Sequence, residues 1–417
     1  MENPIPDYLG DILDSVRDDS SGEIPTYIPE LAQADPEWLG LALCTTSGHL
    51  YSAGDDDVEF TIQSLSKPFA YALAIESAGM DAVVDAVGLE PSGEAFNELS
   101  LGEDGRPVNA MINAGAITVN QLINGPDSGV DERVEMIRDY FSRLAGRELE
   151  IDEKSAESEL AGADRNLSLA HMLRSYDIIT DSAQDAVLSY IRQCSVKVTV
   201  KDLAVMAGTL ANGGVHPRSG EKLVDARVAR LTLSVMNSSG MYDAAGRWQA
   251  RVGIPAKSGV SGGIIGTLPS QLGIAALSPR LDGSGNSVRG VKAFEELSDQ
   301  MGLHLMNGVG MSGSETVRTI EHRGGDSVVV LQGPVDFSAA EAALHAISGR
   351  KLTGERVVLD LERVTHTQPM GIAMLGEGLR RLREGGREIA SHDPRGFLLD
   401  NELDDGTLVP DVMDLDA

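Results

Sequence analysis

Cysteine is nearly absent from this chain: Cys44 and Cys194 are the two in 417 residues. They lie far apart in apolar stretches. That excludes a disulfide framework and any thiolate spacing for a structural metal, and each reads as a buried free thiol. Positive charge is also short, with 34 Lys and Arg against 64 Asp and Glu and a net charge of −30. So acidic a chain argues against nucleic acid and anionic membrane as partners. No apolar run reaches the length that spans a bilayer. The opening Met1-Glu2-Asn3-Pro4 has neither the basic nor the apolar region of a secretory leader. The expected location is the cytoplasm.

What is present is an ordinary globular composition, 42% hydrophobic, over a length that suits two or three domains. Residues 1–20 carry Tyr8, Leu9, Ile12, Leu13 and Val16 on one helical stripe. Leu39–Cys44 and Leu50–Ser52 read as a hairpin around Thr46-Ser47-Gly48. Phe60-Thr61-Ile62 leads into a helix from about Ser64 to Ala78, stopped by Gly79. Helices follow at Val134–Phe141, 166–181, Ala183–Cys194, Val200–Leu210 and Ala226–Met236, with an acidic stretch, Glu148–Glu159, that reads as a solvated face. Strand character returns over residues 250–280. Strands at both ends and helices between them predict an α+β fold, one antiparallel sheet with an inserted helical lobe.

The composition shifts near residue 307. Residues 307–315 are rich in Gly and Ser and read as a linker. A β-β-α-β-α-β unit follows over 316–400, then an acidic tail, 401–417.

The chemistry is concentrated in Gln63-Ser64-Leu65-Ser66-Lys67-Pro68. Ser64 and Lys67 are three apart and share a helix face. Pro68 is tolerated because it falls in the first turn. A serine at a helix start beside a lysine is the minimum for a Ser-Lys nucleophile: the neutral amine takes the hydroxyl proton and backbone N–H groups stabilise an oxyanion. To be neutral, Lys67 must be depressed by burial or by a nearby cation, for which Lys257 is the candidate. Spacing alone is weak, since Ser-x-x-Lys also occurs at Ser219/Lys222 and Ser348/Lys351, and Ser64 reads equally well as a helix N-cap. Lys257-Ser258-Gly259 is a second flag. In penicillin-recognising serine hydrolases a strand of this type faces the Ser-x-x-Lys helix.

Longer runs then point to one family. Tyr27-Ile28-Pro29, Gln63-Ser64 with Lys67-Pro68, Gly88-Leu89-Glu90-Pro91-Ser92-Gly93, Asn113-Ala114-Gly115-Ala116-Ile117, Asp164-Arg165-Asn166, Ala211-Asn212-Gly213-Gly214, Gly240-Met241-Tyr242-Asp243 and Pro255–Val260 come in unbroken order over about residues 10–305. This part of the chain resembles the glutaminases of the serine β-lactamase-like superfamily. The resemblance implies a β-lactamase/penicillin-binding-protein-like sheet over residues 1–306. It implies hydrolysis of L-glutamine to L-glutamate and ammonia with no metal or organic cofactor, and a homo-oligomer, tetramer or dimer. It places the substrate at Tyr27, Ser64, Asn113, Glu159, Asn166, Tyr190, Tyr242 and Val260. Ser64 is the implied nucleophile, Lys67 its base and Tyr242 the helper. The residue types suit the ligand. Glu159 can pair the α-ammonium, neutral amides and hydroxyls can bind the remainder, and Val260 would act through its N–H.

The unit over 316–400 resembles a small α/β STAS domain through Gly333-Pro334-Val335-Asp336 and Val357–Leu361 with Gly371. Phosphorylated members carry Asp-Ser-Ser-Gly before the second helix; this chain has Gln368-Pro369-Met370-Gly371. Without the switch serine, the unit is expected to serve as a contact surface, within the oligomer or for a separate protein. Two rival readings remain at this stage: a β-lactam-recognising enzyme on the same scaffold, and a catalytically silent regulator acting through the STAS-like unit.

Overall fold

The computed structural model describes residues 3–26, 28–92, 101–102, 104–125, 127–307, 316–323, 325–349, 352, 354, 356–398 and 409–412. Tyr27, residues 308–315 of the expected linker and all but 409–412 of the expected tail lie outside the described residues. The chain forms two compact units, residues 9–295 and residues 296–417 with 1–8.

The apolar stripe near the N-terminus forms α1 (Ile5–Val16). The predicted hairpin is β1 (Gly40–Thr45) and β2 (Leu50–Gly54), and it joins β5 (Ala256–Ser258), β6 (Gly263–Leu268) and β7 (Leu272–Leu277) in one sheet of order β2-β1-β7-β6-β5. Every pairing is antiparallel, and Gly40 at the start of β1 lies opposite Leu277 at the end of β7. The two ends of the unit therefore close one sheet, as the strand–helix–strand order predicts. The short β3 (Phe60–Thr61) stays out of this sheet and pairs instead with β4 (Lys197–Val198).

Between β2 and β5 lies the helical lobe: α2 (Lys67–Ala78), α3 (Met80–Ala86), α4 (Asn113–Gln121), α5 (Val130–Ala145), α6 (Glu153–Ala161), α7 (Asp164–Ser175), α8 (Ala183–Cys194), α9 (Val200–Ala211), α10 (Ala226–Ser239) and α11 (Ala245–Arg251). The acidic stretch is not merely a solvated run. Asp152 accepts the Ser155 N–H and caps α6, a real helix that exposes Glu153 and Glu157 and turns Glu159 inward onto Gln63. The helix expected at 166–181 is α7, which starts earlier and stops at Ser175. α9 opens with a capping box, Thr199 and Asp202 each accepting the other's backbone N–H. It is apolar on every side because it is buried within the unit, with Leu203, Ala204, Met206 and Ala207 all fully buried. α12 (Val288–Met301) follows the sheet. At its start the fully buried Arg289 donates to the Arg17, Pro36 and Trp38 carbonyls, at 3.3, 2.6 and 3.0 Å, which ties down the N-terminal segment.

The second unit has β8 (Val317–Arg323), β9 (Asp326–Val335), α13 (Phe337–Gly349), β10 (Arg356–Thr367), α14 (Pro369–Glu384) and β11 (Glu388–His392). The sheet order is β11-β10-β9-β8, with β10 parallel to both neighbours. The β-β-α-β-α-β order read from the sequence is the one observed. Among the described residues no helix is long and apolar enough to cross a membrane.

Candidate active site

The α-helix that was expected to start at Ser64 starts at Lys67. Residues Gln63–Ser66 form a single 3-10 turn ahead of it, and the N-cap position belongs to Ser66, without a capping side-chain bond. The N-cap alternative for Ser64 therefore falls away, and its hydroxyl is available for something else. Gln63 enters the turn at φ +49°, a left-handed conformation that costs a residue with a Cβ. Tyr242 shares the property, at φ +57°. Strained backbone of this kind persists where the surroundings over-determine it.

Two close approaches bring the pieces together. An added Cβ at Gly240 would fall 1.7 Å from the Ala256 carbonyl oxygen. Only glycine lets the end of α10 press on β5, which delivers Tyr242 to the strand carrying Lys257 and Ser258. An added Cβ at Gly263 would fall 2.5 Å from Leu65 Cδ1. That gap seats the nucleophile turn against β6.

Around Ser64, which is 7% exposed, the side chains form three hydrogen-bonded groups. The Tyr242 hydroxyl donates to the Ser258 carbonyl at 3.0 Å, and Ser64 is the neighbouring side chain that eases its phenol back toward ionisation. The Lys67 amine, 1% exposed, donates to Asn113 Oδ1 at 2.7 Å and to the Met111 carbonyl at 3.3 Å. Asn113 Oδ1 also accepts the Tyr190 hydroxyl at 3.3 Å, while Asn113 Nδ2 donates to Asn166 Oδ1 at 3.1 Å. Across from them, Glu159 Oε2 accepts from Gln63 Nε2 at 3.2 Å. Val260 is buried with Ile28 and Leu31 in a small apolar cluster. Among the described residues neither the Ser64 nor the Val260 backbone N–H has an acceptor.

The electrostatics follow from burial. Lys67 is pulled down to about 8, chiefly because burial strips its ammonium of water, with Cys194 and Glu159 pulling the other way. Lys257 was the cation expected to depress Lys67. The repulsion runs the other way: Lys257 is itself driven well below the ordinary lysine range, first by burial and then by the charge of Lys67. Its amine lies 4.0 Å over the Tyr242 ring and donates to the Ser258 carbonyl at 2.5 Å. Glu159, half-buried, is pushed up to about 7 by lost hydration, against the pull of Gln63 and Lys67. Tyr190 and Tyr242 are raised by burial and stay protonated donors. Both cysteines are free and buried, as expected. Cys194 lies 4.0 Å from Ser66 Oγ with its thiol raised to about 12, hence inert.

Of the sequence candidates, Lys67, Asn113, Asn166 and Tyr190 are joined by hydrogen bonds, Glu159 is bonded to Gln63 next to Ser64, and Tyr242 is held on the Ser258 carbonyl. Val260 lies on the loop after β5, and Tyr27 falls outside the described residues. Sequence reasoning gave no role to Gln63, which anchors Glu159 and sets the left-handed entry to the turn. Its position directly before the nucleophile was the only signal, and a positive φ is not readable from a glutamine.

Comparison with known proteins gives the arrangement its context. A family model described as Glutaminase matches residues 22–306, and one described as Mlab, STAS domain matches residues 319–401. A glutaminase of Corynebacterium glutamicum is 62% identical over 405 residues, 97% of this chain and 98% of that protein. A crystal structure of a protein called Mglu superposes with a TM-score of 0.73 at 52% identity, over 95% of this chain and 99% of its own. A probable glutaminase from Bacillus subtilis, solved with 6-diazo-5-oxo-L-norleucine, gives a TM-score of 0.67 at 31% identity, over 73% of this chain and 98% of its own. With Ser64, Lys67 and Tyr242 gathered in a sheet-and-helix unit that such models and structures match end to end, the chain belongs to the glutaminase family.

Proposed function

We propose that this chain hydrolyses L-glutamine to L-glutamate and ammonia through a Ser-Lys acyl-enzyme. Ser64 attacks the side-chain amide carbonyl. Lys67 takes the hydroxyl proton, and Tyr242, beside Ser64, relays or returns it to the departing nitrogen. Ammonia leaves, and water hydrolyses the glutamyl ester by the same route in reverse. The N–H groups of Ser64 and Val260 receive the developing oxyanion. Glu159 pairs the α-ammonium, while Asn113, Asn166, Tyr190 and Tyr27 hold the rest of the substrate. The observation that carries the reading is a fully buried lysine, one turn on from Ser64, whose amine is held only by neutral acceptors, Asn113 Oδ1 and the Met111 carbonyl, and is brought to about 8.

The domain division proposed is 1–306 for catalysis, 307–315 as linker, 316–400 as STAS-like unit and 401–417 as tail. The Bacillus subtilis protein supports it, since its chain is accounted for by 73% of this one. The STAS-like unit is then a contact surface, within a dimer or tetramer or for a separate protein. Two buried free thiols suit a reducing cytoplasm. The test is Ser64→Ala, which should abolish ammonia release from glutamine while changing stability by no more than about 1 kcal/mol, the centre of the range for single substitutions. Wild-type-like turnover in that variant removes the mechanism, and cleavage of a chromogenic cephalosporin in preference to glutamine removes the substrate.

A further inference from the structure

The peptide joining Gln63 to Ser64 is planar and trans, so its carbonyl and its N–H point in opposite directions. The N–H is the Ser64 donor of the oxyanion site. The carbonyl on the other side is held. It accepts from Ser66 Oγ at 2.7 Å; Ser66 Oγ accepts from Gln193 Nε2 at 3.0 Å; Gln193 Oε1 accepts from Asn120 Nδ2 at 2.9 Å. Donation runs in one sense along the whole relay and ends on the Gln63 carbonyl. Asn120, Gln193 and Ser66 are 0%, 1% and 0% exposed, so no water shares these bonds.

Packing alone does not call for this. Ser66 by itself satisfies the Gln63 carbonyl, so apolar side chains of the same size in place of Gln193 and Asn120 would fill the space with fewer polar groups to satisfy, and Asn120 Oδ1 is left without a partner in the interior, which is a cost rather than a gain. The placement of the members suggests what is obtained in return. Asn120 is on α4, whose first residue is Asn113, and Gln193 is one turn beyond Tyr190 on α8. The relay therefore fixes the nucleophile turn to the two helices that carry the substrate-binding candidates.

We propose that Gln193, acting through Ser66, is a positioning residue that aims and polarises the Ser64 N–H for the oxyanion. The inference rests on the oxyanion reading above. Rotation of the Gln63–Ser64 peptide, by opposed changes in Gln63 ψ and Ser64 φ, would turn the Ser64 N–H out of the site. The Ser66 hydroxyl blocks that rotation by holding the carbonyl. Bonds in series also draw charge along the peptide and make the opposite N–H a stronger donor.

Gln193→Met keeps the volume and removes both bonds. Because an oxyanion donor acts in the transition state and not on the bound substrate, kcat for glutamine should fall about tenfold with KM changed by less than about twofold. Ser66→Ala should lower kcat to the same degree, and the double variant should be no worse than either single one, since all three break one relay. Circular dichroism and melting curves establish that each variant is folded at the assay temperature; if Gln193→Met is not, Ser66→Ala, which deletes a single oxygen, decides alone. Wild-type kcat in the folded variants, a loss confined to KM, or additive losses in the double variant would each overturn the relay. Ser64→Ala, run beside them, separates the two ideas. An active Ser64→Ala sinks the acyl-enzyme reading on which the oxyanion site depends, whereas an inactive one with Gln193→Met at wild-type kcat sinks only the relay.

Discussion

The pH dependence of turnover tests the proposed chemistry most directly, because two groups needed in opposite charge states lose activity in the same direction. Lys67 works as the neutral amine, so its contribution appears as pH rises through about 8. Glu159 works as the carboxylate, so its contribution appears as pH rises through about 7. Lys67 is displaced for a structural reason: its Nζ is 1% exposed and its acceptors, Asn113 Oδ1 and the Met111 carbonyl, are neutral. At pH 6 about one Lys67 in a hundred is neutral and about one Glu159 in ten is ionised. The product of the two fractions sets kcat/KM, which reports the free enzyme, so kcat/KM should drop about a thousandfold from its alkaline plateau to pH 6. In the complex the substrate ammonium beside Glu159 holds the carboxylate ionised. kcat should then show the lysine limb alone, a fall of about a hundredfold. Initial rates of ammonia release across pH 6 to 9, with single-turnover mixing to establish that chemistry limits, give both profiles. A kcat that stays level over that range while chemistry is limiting would refute Lys67 as the base.

Two further outcomes follow from the same site and its surroundings. Glu159→Gln should cut kcat/KM for glutamine by about a hundredfold, the scale of an unpaired buried charge, and should move the kcat limb to lower pH, since Glu159 raises the pKa of Lys67; N-acetylglutamine should be about as poor a substrate for the wild type, and equal turnover of the two substrates would show the ammonium site to be elsewhere. A chain ending at residue 308 should retain turnover while its molar mass by light scattering changes if the STAS-like unit holds the oligomer; a folded truncation inactive at every concentration would make that unit part of the catalytic machinery.

Much of this architecture was legible because each element carried its own local signal. The Val200–Ala211 helix was announced by a continuous apolar run, the hairpin by Thr46-Ser47-Gly48, and the second unit by alternating strand and helix patterns behind a Gly/Ser stretch. The acidic stretch misled because a helix that presents acids to water on most of its surface has almost no hydrophobic period. The length of α7 misled because chain direction at Tyr176 and Asp177 is set by tertiary packing and a left-handed Asp177 rather than by a breaker residue. At the site, long motif runs picked out side chains that the fold gathers around Ser64 and Lys67. They did not show that burial, not Lys257, depresses Lys67. Nor did they show that Ser66, Gln193 and Asn120 are wired together, since these residues are separated by 50 to 130 positions and meet only in the fold.

The antiparallel closure of the sheet bears on how the enzyme comes into being on the ribosome. β1 and β2 emerge early, but β1 finds its central partner only when Leu272–Leu277 has been made, with Gly40 waiting for Leu277. Until then the hairpin has one side unpaired, an exposed edge inviting aggregation. Ser64 and Lys67 are synthesised long before Lys257 and Val260, so a nascent chain carries its proposed nucleophile without the strand and loop that lie beside it in the fold. Catalytic competence therefore arrives late and all at once, when the last strands slot between β1 and the helices already formed, and a prematurely terminated product is both inactive and prone to clump.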